Sequence, residues 1–180
     1  STQNIGAYLE LLANTDYAIM PSIESEDLFN VNKLIELKNI LLPYKEKILI
    51  IRFGLEDMFK QLQIQRTCKD SLFDLSATNN VVGNIIAIFK SAGFAVSGGV
   101  YKCFQDDDGL MQDVLRDLKE GLFSKTVIHP RQVNIVNELY KISQEEYNWA
   151  KKLLDSTQAV YKENNQMVET FTMKPYAQYL

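Results

Sequence analysis

The stretch that most restricts the fold is Lys47-Ile48-Leu49-Ile50-Ile51-Arg52-Phe53. It is a continuous apolar run rather than an alternation, so as a strand it must be covered on both faces. A parallel sheet layered with helices meets that condition. Gly54 breaks the run, and Glu56-Asp57 follow in the loop or first turn after it.

Similar units recur along the chain. Residues 4–13 carry Ile5, Tyr8, Leu9, Leu11 and Leu12 at helical spacing. Asp16 to Ile23 reads as a buried strand with Glu24 at its end. Ser25-Glu26-Asp27 then starts a helix that runs to Pro43, with a capping serine and acids suited to the helix dipole. Met58 to Leu62 is a short helix, 63–78 is irregular, and Asn80 to Ser91 is a helix closed by Gly93. Phe94 to Tyr101 is a third strand, whose Gly98-Gly99 pair implies close approach of backbone or ligand. Asp106-Asp107-Asp108-Gly109 opens the helix 110–120, which Gly121 closes. Thr126-Val127-Ile128 is a fourth short strand stopped by His129-Pro130. Residues 131–140 and 143–163 are expected as helices, the second with a Ser143–Glu146 capping box.

Strands near 17–23, 48–53, 94–101 and 125–128 alternate with helices, so the fold class is α/β with parallel βα units. An eight-unit barrel needs roughly 200–250 residues, and this chain of 180 residues holds about four strands, half of such a barrel. The expected organisation is one domain over 1–164 and a polar, aromatic tail over 165–180 without clear period.

A net charge of −4 argues against a general binder of nucleic acid or membrane surfaces. No apolar run approaches the ~18 residues of a membrane span and no signal peptide opens the chain. Cys68 and Cys103 lack metal-type spacing, and a reducing, cytoplasmic home is the simplest reading. Ser1 is not an initiator methionine, which points to processing, tagging or excision from something longer.

Acids at the carboxyl ends of consecutive parallel strands converge on one rim. Glu24, Asp57 and Asp106 to Asp108 hold such positions. Two carboxylates there suit Mg²⁺, which keeps several waters and can stabilise an enolate. The alternative is that these acids only start helices. His129, the lone histidine, is either structural or catalytic. Arg52 sits inside an apolar strand and needs a partner: Glu24, Asp57 or an anionic substrate.

Four segments carry a resemblance: Pro21-Ser22-Ile23-Glu24-Ser25, Phe53-Gly54-Leu55-Glu56-Asp57, Tyr101 to Leu110, and Gly121-Leu-Phe-Ser-Lys-Thr-Val-Ile-His-Pro-Arg-Gln132. In order and spacing they resemble the citrate lyase β-subunit-like group of the HpcH/HpaI aldolase superfamily, and within it the stand-alone C–C bond lyase branch. The resemblance implies a TIM barrel, usually trimeric. It implies Mg²⁺-dependent cleavage of a carbon–carbon bond in an acyl-CoA or a 2-oxo or hydroxy acid. By position Glu24 and Asp57 match the metal-ligating acids. Arg52 is the expected extra anion contact, while Glu56, Asp106, Lys125 and His129 support substrate or loops.

The resemblance spans the chain but only the second half of the family barrel. The early strands, with the arginine that grips the substrate carboxylate, have no counterpart. Ser124 stands where the hallmark has glycine, and Lys174, between Met173 and Pro175, stands where the family tail has an acid. Covering the open strand edges therefore calls for a homo-oligomer or a companion N-terminal fragment. A non-catalytic relative that binds a metabolite or serves assembly is the alternative. An open flavodoxin-like sheet ranks last, because the chain lacks a Gly-rich phosphate loop.

Overall fold

A computed structural model describes residues 2–163 and 165–180, so Ser1 lies outside the described residues. The chain forms two compact units, Ser1–Leu139 and Tyr140–Leu180.

The first unit runs α1 (Thr2–Leu12), β1 (Ser22–Ile23), a 3₁₀ turn (Glu26–Phe29), α2 (Val31–Leu41), a second 3₁₀ turn (Leu42–Lys47) and β2 (Arg52–Phe53). It continues through α3 (Leu55–Leu62), α4 (Ser76–Ser91), α5 (Asp107–Lys119) and α6 (Pro130–Leu139). β1 pairs with β2 in parallel, Ser22 opposite Arg52 and Ile23 opposite Phe53. Single parallel bridges extend the arc: Ile19 with Ile48, Ile51 with Val96, and Gly98 with Lys125. Four chain segments therefore lie side by side in sequence order, as consecutive βα units require.

The regular ladders are shorter than the apolar runs. At the Gly98–Lys125 bridge the segments are closely packed: a Cβ on Gly98 would collide with the Asp117 carboxylate and come within 3.1 Å of the Ser124 carbonyl. A Cβ on Gly99 would meet Leu55 Cδ2 at 2.6 Å. The glycine pair thus admits protein neighbours.

The helix expected from Ser25 to Pro43 is broken at Asn30. That residue is extended, and its side chain accepts from Asn32 N and Lys33 N, at 3.0 and 3.3 Å. An N-cap needs this non-helical backbone, so the cap of α2 ends the preceding turn. α3 begins at Leu55, which places Glu56 and Asp57 in its first turn, and α4 begins at Ser76 rather than Asn80. Leu34, Leu41, Ile51, Met58, Val82, Ile85, Phe89 and Leu122 fill the core between helices and strands. Burying each such side chain contributes ~1.5–3 kcal/mol.

A charged cluster lies beneath the strand ends. Lys125 Nζ is 2.7 Å from Asp113 Oδ2 and 2.6 Å from Asp117 Oδ2. Arg66 Nη2 is 2.6 Å from Asp113 Oδ1. None of these side chains is more than 5% exposed. Burial pushes the Asp117 carboxyl up to about 6, against the pull of Lys125.

Cys68 and Cys103 form a disulfide with Cα atoms 5.9 Å apart, a departure from the reduced state expected of them. They are 35 residues apart in sequence, and spacing alone carried no sign of the pairing. Long-range contacts bring their loops together: Arg66 Nη1 donates to the Val100 carbonyl at 3.3 Å, and Tyr101 Oη donates to the Cys68 carbonyl at 3.0 Å.

The second unit holds α7 (Gln144–Asp155), the antiparallel pair β3 (Val160–Glu163) and β4 (Gln166–Glu169), and α8 (Thr170–Ala177). The Ser143–Glu146 capping box is present. Leu153, Ala150, Val168 and Ala177 make its core, with Trp149, Tyr161, Met173 and Leu180 against them. The helix expected over 143–163 ends at Asp155. The cause is pairing between segments: Tyr161 opposite Val168 gives 160–163 a ladder that no local period announces.

Two outcomes follow from the charged cluster. Lys125→Met leaves Asp117 buried without its cation and is expected to cost about 3–5 kcal/mol of unfolding free energy, read from the urea midpoint. Asp117 holds its proton up to about 6 in the fold against an ordinary 3.8, so the folded state binds more protons between those values. Stability should therefore fall as pH rises through that window. An unchanged difference in urea midpoint between wild type and Asp117→Asn from pH 3.8 to 6 would contradict this.

Candidate active site

The carboxyl ends of the parallel segments surround a cleft of about 210 Å³. Ser22 and Glu24 come from the end of β1, Arg52 and Gly54 from β2, Glu56 and Asp57 from α3, and Thr126 and Ile128 from the fourth segment. Ser22, Glu24, Glu56 and Asp57 are exposed, and Arg52 is half-buried.

Gly54 leaves room for the side chains of both acids. Its backbone, at φ −79° and ψ 93°, is open to any residue, so conformation does not demand glycine. Space does. A Cβ there would stand 2.7 Å from Glu24 Cγ and 2.8 Å from Asp57 Oδ2. Both carboxylate-bearing side chains therefore close over the bare Cα. Ser22 Oγ donates to Glu24 Oε1 at 2.7 Å and orients it. Gln61 Nε2 donates to the carbonyls of Glu24 and Asp57, at 3.2 and 3.3 Å, tying the strand end to α3. Asp57 also lies in the first turn of α3, where the helix dipole favours its negative charge.

Arg52 pairs with neither acid. Its Nη2 donates to Thr126 Oγ1 at 3.4 Å across the arc, and it forms no ion pair among the described residues. Arg52 is among the residues that line the cleft.

The other expected site residues lie apart. Glu56 lines the cleft, with Oε2 3.9 Å from Lys102 Nζ in solvent. Asp106 caps α5, accepting from Gly109 N at 2.9 Å and Tyr101 Oη at 2.7 Å; these bonds hold its carboxyl below the ordinary range. Lys125 is enclosed by the charged cluster. His129 is exposed, stacks on Phe104 at 4.7 Å and accepts from Arg131 N through Nδ1 at 3.2 Å. None of these last three lines the cleft.

Four residues without an assigned role in the sequence reading emerge: Ser22, Gln61, Thr126 and Gln132. Ser22 stands two before Glu24, on the same strand face, and Gln61 four after Asp57, on the same helix face; both spacings are readable. Gln132 is buried: its Nε2 donates to the Tyr101 carbonyl at 2.8 Å and its Oε1 accepts from Ile128 N at 2.9 Å.

Among the described residues no group of three or more His, Cys, Asp and Glu side chains is placed to hold a metal. The cleft is lined by two carboxylate side chains, Glu24 and Asp57, that flank Gly54. That set fits Mg²⁺, whose remaining positions are taken by water and substrate.

The family model for the C–C bond lyases of the TIM-barrel fold matches residues 1–180. The chain belongs to this family. It is 24% identical over 118 residues to the citrate lyase β subunit of Escherichia coli K12, covering 66% of this chain and 37% of that protein. A citrate lyase structure from Burkholderia xenovorans superposes with a TM-score of 0.73 at 18% identity, over 99% of this chain and 56% of the other. The CitE protein of Mycobacterium tuberculosis, solved with magnesium, acetoacetate and coenzyme A, gives 0.63 at 19% identity, over 96% of this chain and 62% of its own. The chain thus spans between 37% and 62% of the length of these relatives, and its fold is part of a TIM barrel. The family is one of carbon–carbon lyases.

Proposed function

We propose that the chain serves a Mg²⁺-dependent carbon–carbon lyase acting on an acyl-CoA or a 2-oxo or 2-hydroxy acid. The convergence of Glu24 and Asp57 over Gly54 carries this reading. Glu24 and Asp57 would hold the ion, which supplies Lewis-acid polarisation of a substrate carbonyl and stabilises the enolate left by cleavage. Arg52 meets the substrate's carboxylate from the opposite wall, with Thr126 fixing its guanidinium. Ser22 and Gln61 keep the two acids in register. Glu56 and Lys102 stand at the mouth. Asp106, Lys125 and His129 hold loops and strand ends.

A cytoplasmic setting belongs to the same reading. No helix among the described residues is long and apolar enough to cross a membrane. The second reading, a non-catalytic metabolite-binding or assembly protein, draws on Lys174. It lies within α8 with Nζ 3.4 Å from the Ser156 carbonyl, where the resemblance expects an acid.

The first and fourth segments find no further strand among the described residues. Tyr17, Met20 and Ile128 there are 71%, 53% and 55% exposed. A parallel edge with apolar flanks is a pairing surface, so the working particle includes another copy or a companion half barrel. Native mass spectrometry should show a particle larger than 20.7 kDa, and a stable monomer of that mass would overturn the assembly reading.

Titration calorimetry should detect Mg²⁺ binding to the wild type. Glu24→Ala, Asp57→Ala and Gly54→Ala should each weaken it at least about tenfold, the last by wedging the acids apart on an unstrained backbone. Absence of binding to the wild type, or unchanged binding to both acid variants, rejects the metal centre and leaves the second reading.

A further inference from the structure

The loop from Val100 to Asp106 borders the cleft and is fastened at both ends. At its start Tyr101 is buried, with its carbonyl held by Gln132 Nε2 at 2.8 Å. At its finish Asp106 caps α5 and accepts from Tyr101 Oη at 2.7 Å. Between these points the chain is on the surface: Lys102, Phe104 and Gln105 are exposed and Cys103 is half-exposed. Its own main-chain bonds are local turns, Phe104 N to the Lys102 carbonyl and Asp106 N to the Cys103 carbonyl, both 3.0 Å. Across from it, the 67–70 turn is closed by Asp70 on Thr67 N and Oγ1, at 2.9 and 2.6 Å.

The Cys68–Cys103 disulfide ties these two surface segments together outside the core. Cys68 is exposed, and a cavity of about 410 Å³ lined by Cys68, Lys102, Cys103, Phe104, Gln105 and Asp106 opens beside the bond. That space admits an incoming thiol. Neither cysteine belongs to the apolar core, and the anchors on either side, Arg66 on Asp113 and Tyr101 on Gln132, do not need the bond.

We propose that Cys68–Cys103 is a reversible thiol-exchange site that clamps the cleft-side loop. A thiolate of a dithiol reductant attacks the exposed Cys68 sulfur. The protein S–S bond breaks, and Cys103 leaves as a thiolate and takes up a proton. The reductant's second thiol then attacks the mixed disulfide and releases Cys68, leaving two protein thiols and one disulfide in the reductant. In a reducing compartment, persistent disulfides are uncommon and accessible ones are transient or sensing. Opening the bond leaves residues 102–105 held by local turns and the Phe104–His129 stack, and loosens with them the Lys102 ammonium that faces Glu56 at 3.9 Å. The consequence for ligand binding rests on the cleft being the metal site proposed above; the exchange chemistry does not.

The test compares the full chain oxidised with glutathione disulfide and reduced with dithiothreitol. Thiol titration should count no free thiol in the first form and two in the second. Amide hydrogen exchange should speed up at least about tenfold in 102–106 and 67–70, with α3 and α5 unchanged. Cys68→Ser and Cys103→Ser should each reproduce the reduced pattern. Two free thiols after oxidation, identical exchange in both forms, or reduction that loosens the whole first unit would each overturn the proposal. Mg²⁺ affinity measured on both forms should be several-fold weaker in the reduced one. Equal affinities would overturn the clamp's control of the cleft. Absence of binding in either form would count against the metal centre instead, with thiol titration and exchange still deciding the exchange site.

Discussion

Lys125 is fully buried between Asp113 and Asp117, and the parallel arc depends on that enclosure. Both acids project from one face of α5, four residues apart, and Arg66 closes the other side of Asp113. The cluster joins the fourth segment, α5 and the irregular 63–75 stretch. An unpartnered charge in this place would be costly, so each member requires the others. Gly98 completes the arrangement, since any side chain there would displace the Asp117 carboxylate. The arc is in this way fastened at its last segment by charge and at its centre by Ile51, Met58 and Phe89.

On that frame the cleft is assembled from strand ends that contribute one or two groups each. Gly54 plays for the acids the part that Gly98 plays for the buried cluster: an absent side chain lets two others meet. Ser22, Gln61 and Thr126 then fix Glu24, the α3 end and Arg52. Ser22 bonds the Glu24 carboxylate and Thr126 bonds the Arg52 guanidinium. The C–C bond lyase family supplies a chemical setting in which a pair of hard oxygen donors and a cation across from them have a use.

Several features were legible because they are local. The apolar run 48–53, the glycines that end α4 and α5 with φ +79° and +73° at Gly93 and Gly121, and the Ser143–Glu146 box each declare themselves within a few residues. The hallmark from Gly121 to Gln132 is legible as a pattern, yet its parts do different jobs. Gly121 turns the chain, Lys125 enters the charged cluster, Pro130 opens α6 and Gln132 pins the loop to Tyr101. His129, the residue that looks most chemical in that stretch, stacks on Phe104 and accepts from Arg131 N at the surface. The features that were not legible join distant segments. The β3–β4 hairpin replaced an expected helix end, and the disulfide joined cysteines whose spacing said nothing.

From the sequence by itself came the α/β class, the order of strands and helices and the family, because helical and strand periods and motif spacing are properties of neighbouring residues. Only the tertiary structure decided that Glu24 and Asp57 line one cleft on either side of Gly54, that Arg52 faces Thr126 rather than either acid, that Lys125 is sealed between carboxylates, and that Cys68 reaches Cys103. Each of those depends on the space left between segments far apart in the chain, and that space is determined by which side chains, such as those missing at Gly54 and Gly98, are not there.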